Sequence, residues 1–127
     1  MTVDWRRLSR ESGLRADGET VRVAFEDGRS QVVRVEETAP GEGVLRLWSV
    51  VARPSVVESL EDPDRLARER NRVTDLVGFK RDARGRLIGE AWLPLAGLDA
   101  DEWAFSVRAL ARACDRLEYL LTGRDAE

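Results

Sequence analysis

The chain has 127 residues, of which 43% are hydrophobic and 35% charged, and its net charge is −3. This is the composition of an ordinary soluble globular protein, and the length fits one domain over residues 1–127. Because the chain has one cysteine and no histidine, it excludes a Ser-His-Asp or Cys-His catalytic set and a zinc or iron-sulfur site within one chain.

Hydropathy gives an expectation for location. The longest uncharged apolar stretch, Leu47 to Ala52, is far too short to span a bilayer. No apolar segment of signal-peptide length follows the charges at the N-terminus. We therefore expect a cytoplasmic protein that makes no membrane contact, and the sequence indicates no cofactor.

The first predicted element is a short helix from Asp4 to about Ser12. Asp4 is a good N-cap, and Gly13 can end the helix. Alternation of apolar and polar residues then predicts a strand over residues 20–26 and a partner strand over residues 31–37.

The turn between these two strands fixes their register. A two-residue turn at Asp27-Gly28 would place an arginine opposite Val21 on the apolar face. A three-residue loop over residues 26–28 instead pairs Val21 with Val33, and Gly28 suits the left-handed position of a bulged turn. We predict the three-residue loop.

A third strand is predicted from Val44 to Ala52, and it is apolar on both faces. Such a strand is either inside a sheet and covered twice, or exposed for a partner. The next element is a helix from Pro63 to about Val77, with Asp62 as its N-cap and Gly78 at its end. Its narrow apolar stripe consists of Leu66, Val73, Leu76 and Val77.

A last hairpin is predicted over residues 79–81 and 86–93, around the turn from Asp82 to Gly85. Pro94 closes its second strand. The element order is helix, three strands, helix, two strands, helix. This order predicts an α+β fold in which the helices pack on an antiparallel sheet.

The last thirty residues predict a long helix with one apolar seam. Asp99 and Glu102 form a capping-box pattern, and Gly123 is a plausible end. The apolar residues recur at 4-3-4-3-4 spacing and are Trp103, Val107, Leu110, Cys114, Leu117 and Leu121. We interpret Cys114 as a packed thiol, because it falls on this seam and no histidine can activate it.

Three arginines form a ridge on the same helix, at Arg108, Arg112 and Arg116. They could face phosphates or an acidic partner, or form a solvated face beside Asp115 and Glu118. The net charge of −3 disfavours a general attraction to nucleic acid. A nucleic-acid-associated accessory protein is therefore the alternative function.

Carboxylate pairs are the remaining candidates for catalysis, since acid-base chemistry needs two carboxyls with separated pKa values. They lie in turns, strand ends or helix starts, where acidic residues are expected for capping. The pairs are Glu36-Glu37, Asp62 with Asp64, and Asp99 with Asp101. A small carboxylate-dependent hydrolase is a third hypothesis, but we expect no catalytic residues, no metal site and no enzyme.

Two tryptophans on strands are candidates for partner binding. Trp48 shares a strand face with Val50, and Trp92 shares one with Ile88. If both strands belong to one sheet whose leucines face the helices, these side chains emerge on the opposite face, where large aromatics are typical of interfaces. The alternative is that they fill a second core layer under the middle helix. We expect a partner-binding site made of Trp48, Val50, Ile88 and Trp92.

Several strings along nearly the whole chain resemble the YbjN family, whose fold is similar to that of type III secretion chaperones. They are Asp27-Gly28-Arg29-Ser30-Gln31-Val32-Val33, Ser49, Asn71, Gly78-Phe79, Asp82, Gly85, Leu93-Pro94-Leu95, Leu98 and Asp115.

The resemblance implies a non-catalytic α+β domain that is commonly dimeric and binds other proteins. It also implies that the first and last helices share one face of the sheet and that the middle helix lies near the dimer interface. Our first hypothesis is a homodimeric, chaperone-like or regulatory adaptor that binds a segment of a partner protein. The sequence does not name that partner.

Overall fold

Six antiparallel strands form one sheet, with helices packed on it, in the computed structural model, which describes residues 4–37 and 43–122. The strand order is β1-β2-β3-β4-β6-β5, so β1 and β5 are the edges. The elements along the chain are α1 (Trp5–Glu11), β1 (Arg15–Asp17), β2 (Thr20–Ala24), β3 (Ser30–Glu37), β4 (Val44–Ala52), α2 (Pro54–Glu58), α3 (Pro63–Val73), β5 (Gly78–Arg81), β6 (Leu87–Pro94) and α4 (Ala100–Thr122). This architecture confirms the predicted α+β fold.

Two short elements were absent from the predicted order. Strand β1 has three residues, too few for a pattern of alternation, and it pairs with β2 at the edge of the sheet. Helix α2 has five residues and begins at Pro54, a residue type favoured at the first position of a helix. Pro54 was thus a signal for this helix that the sequence analysis did not use.

The first predicted hairpin has the register that the turn indicated. Val21 lies opposite Val33, and both side chains are fully buried. The loop closes through a hydrogen bond of 2.8 Å from the Phe25 amide to the Arg29 carbonyl. Gly28 has a φ of +90°, which explains why this position favours glycine.

The predicted end of the middle helix was wrong. Helix α3 ends at Val73 instead of continuing to Val77, because Thr74 is extended and Leu76 has a φ of +69°. Asn71 explains the early end. Its side chain accepts a hydrogen bond from the Phe79 amide (2.6 Å) and donates one to the Phe79 carbonyl (3.1 Å), so the chain must reverse between them.

As a consequence, the four residues of the apolar stripe predicted for this helix are not all buried. Val77 is buried and Leu66 is partly buried against the core. Val73 and Leu76 are instead exposed by 71% and 68%. They lie just before the edge strand β5.

The seam of the last helix is confirmed. Asp99 caps the helix by accepting a hydrogen bond of 2.8 Å from the Glu102 amide, while Gly123 lies outside the described residues. The seam residues are buried from Trp103 to Leu117, and Leu121 is partly buried. The Cys114 thiol is fully buried, and burial raises its pKa to about 12.

One hydrophobic core lies between the sheet and the helices. All four helices contribute buried side chains to it, with Val57 from α2 and Ala67 from α3 among them. Trp5 and Trp103 meet in this core with ring centroids 5.6 Å apart. The Trp103 indole donates a hydrogen bond of 2.8 Å to the Ser9 hydroxyl, which satisfies its only polar atom.

Candidate functional site

Because strand side chains alternate between faces, β4 and β6 present a second set of residues away from the core. We call this side of the sheet the open face. Its central members are Arg46, Trp48 and Val50 of β4, and Ile88, Glu90 and Trp92 of β6. All four helices contribute buried side chains to the hydrophobic core, and none of these six open-face residues belongs to that core cluster.

Trp48 lies at the centre of the open face and is half-buried by arginines. The guanidinium carbons of Arg34, Arg46 and Arg86 lie 5.4, 5.3 and 5.1 Å from the centroid of its ring. These distances are in the range of cation-π contacts. The indole N–H of Trp48 is buried and has no hydrogen-bond partner among the described residues.

An ion-pair ladder crosses four strands beside Trp48. Arg46 contacts Glu36 at 3.0 Å and Glu90 at 2.8 Å, and Lys80 contacts Glu90 at 3.0 Å. Burial acts to raise the pKa of Glu90, but the hydrogen bonds from Arg46 and Lys80 outweigh it and hold the pKa below its usual range. The ladder therefore favours the ionised form of Glu90 and holds the side chains around Trp48 in position.

Val50 and Ile88 are cross-strand partners at one end of the open face. Val50 is partly buried, but Ile88 is only 1% exposed. Arg86, two residues before Ile88 on the same face, extends toward the Trp48 ring and is held by Asp82 at 2.7 Å. In this arrangement Ile88 supports its neighbours and presents almost no surface of its own.

Trp92 is the exposed aromatic of the face. Its side chain is 53% exposed, although it lies opposite Arg46 in the sheet. Val44 and Pro94 form the next cross-strand pair; Val44 is partly buried and Pro94 is exposed. Trp92, Val44 and Pro94 thus form a small apolar surface, which we call the apolar end of the open face.

The structure therefore brings the four predicted partner-binding residues onto one face, but in different environments. Trp92 is accessible, Trp48 and Val50 are partly accessible, and Ile88 is covered. The arginines around Trp48 were not predictable from the sequence, because cross-strand neighbours depend on the order of the strands in the sheet. Only Arg46 and Arg86 shared a predicted strand with a site residue.

The arginine ridge of α4 is exposed, as its spacing indicated. Arg108 donates a hydrogen bond of 3.1 Å to the Ser12 carbonyl at the end of α1. Arg112 and Arg116 line a shallow cavity together with three carboxylates, those of Glu26, Asp27 and Asp115. These carboxylates offset the positive charge that the ridge would offer to a phosphate.

The carboxylate pairs of the hydrolase hypothesis have structural contacts. Asp62 and Asp99 cap helices α3 and α4. Asp64 accepts two hydrogen bonds from Arg81, at 2.9 and 2.7 Å, and Glu36 belongs to the ladder. In the described part of the chain, no three histidine, cysteine or acidic side chains converge as a metal site would require.

Among the described residues, no helix is long and apolar enough to cross a membrane.

The elements and the sheet define a single α+β fold with an antiparallel six-stranded sheet. Searches of protein-family models and of curated proteins find no match. Solved structures do match this chain over most of its length. The chain in the ExsC-ExsE complex shares 19% identity, with a TM-score of 0.62 and 92% of each chain covered.

YbjN from E. coli shares 15% identity with a TM-score of 0.57, over 95% of this chain and 88% of that one. The HopA1-SchA chaperone-effector complex contains a chain with 11% identity and a TM-score of 0.53, over 97% and 91%. The chain therefore has the fold of YbjN and the type III secretion chaperones, as the resemblance implied. At these identities the likeness establishes the fold alone.

Proposed function

We propose that this chain is a non-enzymatic protein-binding module that acts as a homodimer, and that its open face binds a segment of a partner protein. In this role it serves as a chaperone or as a regulatory adaptor. Trp92 and Trp48 contact the partner together with Val50, while Ile88 supports them from below.

The observation that carries this proposal is the exposure of Trp92 on a sheet face whose central residues lie outside the hydrophobic core. Tryptophan is enriched among the residues that dominate binding energy in interfaces. Its surroundings favour such a role, because the ladder of Glu36, Arg46 and Glu90 holds the neighbouring side chains in place before binding. The fold adds support, since chains with this fold occur in a chaperone-effector complex.

A different surface favours the dimer. Val73 and Leu76 expose apolar side chains just before the edge strand β5. This is where the resemblance puts the dimer interface, near the middle helix. The two proposed surfaces are distinct, so a dimer can form there while the open face stays available.

Replacement of Trp92 tests the partner site. The protein captures its partner from a lysate of its own cells, and the affinity of the isolated partner is then measured. We expect Trp92→Ala to weaken binding by about 2 kcal/mol, which is roughly thirtyfold. The unfolding midpoint should stay close to the original, because the side chain is half exposed.

Phe105→Ala is the matched control, since Phe105 is an exposed aromatic on α4, outside the open face. This variant should bind as the original chain does. Equal losses in both variants, or a loss in neither, would contradict a specific role for the open face.

Trp48→Ala separates binding from packing. Because three guanidinium groups surround the ring at about 5 Å, its removal should also cost about 2 kcal/mol of stability. Binding should fall by at least as much as in Trp92→Ala when both are compared well below the unfolding midpoint. Unchanged binding in a folded Trp48→Ala protein would exclude Trp48 from the site.

Light scattering at micromolar concentration tests the dimer, with an expected mass of about twice 14.3 kDa. A stable dimer should bury more than about 1,000 Å² in total. Val73→Lys combined with Leu76→Lys should give a folded monomer. A monomeric original chain over a wide concentration range would refute the homodimer.

A further inference from the structure

Three arginines stand side by side on the open face, across strands β1, β2 and β3. Arg15 lies directly opposite Arg22 in the sheet. Arg34 is on β3, and its pairing with Thr20 makes it a diagonal neighbour of Arg22. Diagonal neighbours on one face of an antiparallel pair lie about 7 to 8 Å apart, within reach of long side chains. We call these three residues the arginine cluster.

The arginine cluster is not neutralised within the described part of the chain. None of its guanidinium groups forms an ion pair there, and Arg22 donates only one hydrogen bond, of 3.0 Å, to the Ser30 hydroxyl. All three side chains are exposed. By contrast, Arg46, Lys80 and Arg86 elsewhere on this face each contact a carboxylate.

The cluster is electrostatically unfavourable for the isolated chain. Like charges directly opposite each other in an antiparallel pair destabilise the pair, and Arg15 and Arg22 have this relation. The acidic positions on this face nearest the cluster are Asp17, two residues from Arg15, and Glu36, two residues from Arg34 and paired with Arg46. A chain with a net charge of −3 therefore concentrates excess positive charge at one end of its open face.

The apolar end lies at a defined distance from the cluster. Arg34 of β3 pairs with Trp48 of β4, and Trp92 of β6 pairs with Arg46, which lies two residues before Trp48 on β4. Trp92 and Arg34 are therefore two strands apart across the sheet and two residues apart along the strands. Strand spacing and rise per residue place them roughly 12 Å apart. An extended segment covers this distance in about three to four residues.

The surroundings favour a polypeptide over a nucleic acid. The accessible ring of Trp92 lies beside Glu90 on its own strand and across from Arg46, which Glu36 and Glu90 already neutralise. A nucleotide stacked on Trp92 would bring its phosphates close to these carboxylates. The ring of Trp48 is only partly accessible for stacking, since three guanidinium carbons already lie 5.1 to 5.4 Å from its centroid.

We infer that the partner segment is acidic: an extended segment places an apolar side chain on the apolar end and carboxylates on the arginine cluster. This inference rests on the proposed function and deepens it by naming the chemistry of the partner. Arginine suits this role because its planar group binds carboxylates with two parallel hydrogen bonds.

Selection from a display library of random twelve-residue segments tests the inference. The original chain is the bait, and an Arg22→Glu, Arg34→Glu double variant is the counter-bait. We expect enriched segments to place aspartate or glutamate three to four positions from a large apolar residue. Synthetic copies of these peptides should bind the double variant at least about tenfold more weakly.

Two controls separate charge from folding. Arg112→Glu with Arg116→Glu makes the same change in net charge on α4 and should leave peptide binding unchanged. Replacing the acidic residues of an enriched peptide by lysine should restore binding to the Arg22→Glu, Arg34→Glu variant. If that variant unfolds early, Arg22→Glu alone suffices, because Arg22 contacts no aromatic ring among the described residues.

The outcomes distinguish this inference from the proposed function. Enriched apolar segments without acidic residues, bound through Trp92, would overturn the acidic chemistry and leave the open face as a protein-binding site. Absence of any segment whose binding depends on Trp92 would overturn both. Binding of a 30-nucleotide single strand that is lost in the Arg22→Glu, Arg34→Glu variant, with no peptide enriched, would assign the cluster to nucleic acid instead.

Discussion

Gly89 allows helix α4 to approach strand β6 closely, and β6 carries Ile88, Glu90 and Trp92 of the open face. It lies on β6 between Ile88 and Glu90, and it faces the core. A β-carbon at this position would lie 2.5 Å from Sγ of Cys114 and 3.1 Å from the nearest ring atom of Phe79. The first distance is well inside van der Waals contact, so Gly89→Ala must displace α4 or the strand.

The expected cost follows from these contacts. Overpacking a well-filled core by one methyl group costs typically about 1 to 3 kcal/mol, and here two neighbours are affected at once. We expect Gly89→Ala to lower the free energy of unfolding by about 3 kcal/mol. Near the melting temperature of a domain of this size, that is roughly 10 °C.

A double-mutant cycle with Cys114→Ala tests the physical cause. Cys114→Ala removes the sulfur that the new methyl group would meet, and by itself should cost only about 1 kcal/mol. The two changes together should therefore cost less than their sum, with a coupling of at least about 1 kcal/mol. Urea unfolding of the four proteins measures it. Additive losses, or a stable Gly89→Ala variant, would refute the close approach between α4 and β6.

Three further predictions concern the thiol, the ladder and the loop before β5. The native Cys114 thiol should resist aqueous labelling at pH 8, because burial raises its pKa to about 12, and Cys114→Ser should cost about 1 kcal/mol or more by burying a hydroxyl; rapid labelling would contradict its placement. The pKa of Glu90 is lower in the folded chain than in the unfolded one, so its pairs stabilise the fold above about pH 4.3 and lose this effect as the pH falls through the folded pKa. Glu90→Gln should therefore lower the melting temperature at pH 7 and converge with the original chain in acid, whereas a constant difference would speak against the ladder. Leu76→Gly should stabilise a monomeric form by about 1 kcal/mol in denaturant unfolding, because Leu76 has a positive φ, and a loss of stability there would show that its side chain is not exposed.

Local signals in the sequence were sufficient for most of the fold. The spacing of α4 predicted its buried face, and Gly28 with its neighbours predicted the register of Val21 and Val33. The end of α3 was not predictable in this way. It depends on the contact of Asn71 with Phe79, which forms only when β5 returns alongside the helix.

The candidate site was predictable in part, for a similar reason. Alternation indicated that Trp48 and Trp92 would leave the core side together. It did not indicate that Ile88 would be only 1% exposed, since burial on this face depends on the side chains that neighbouring strands place beside it. The arginine cluster was not predicted because it needs β1, whose three residues carry no recognisable pattern.

The residues that carry the resemblance have a different role from the residues of the open face. Most of their polar members connect elements of the scaffold. Arg29 binds Asp115 at 2.6 Å and ties the first hairpin to α4. Gln31 donates a hydrogen bond of 2.9 Å to Ser49, whose hydroxyl donates to the Val32 carbonyl at 2.6 Å.

Such residues specify which fold the chain adopts, and they explain why the resemblance predicted the architecture but named no partner. Substitutions there should lower stability and binding together. Substitutions at Trp92 or Arg22, which lie on the opposite side of the sheet, should lower binding while the fold persists. If the proposed function holds, the choice of partner depends on the open face, and we expect it to follow the distance between the exposed Trp92 and the arginine cluster.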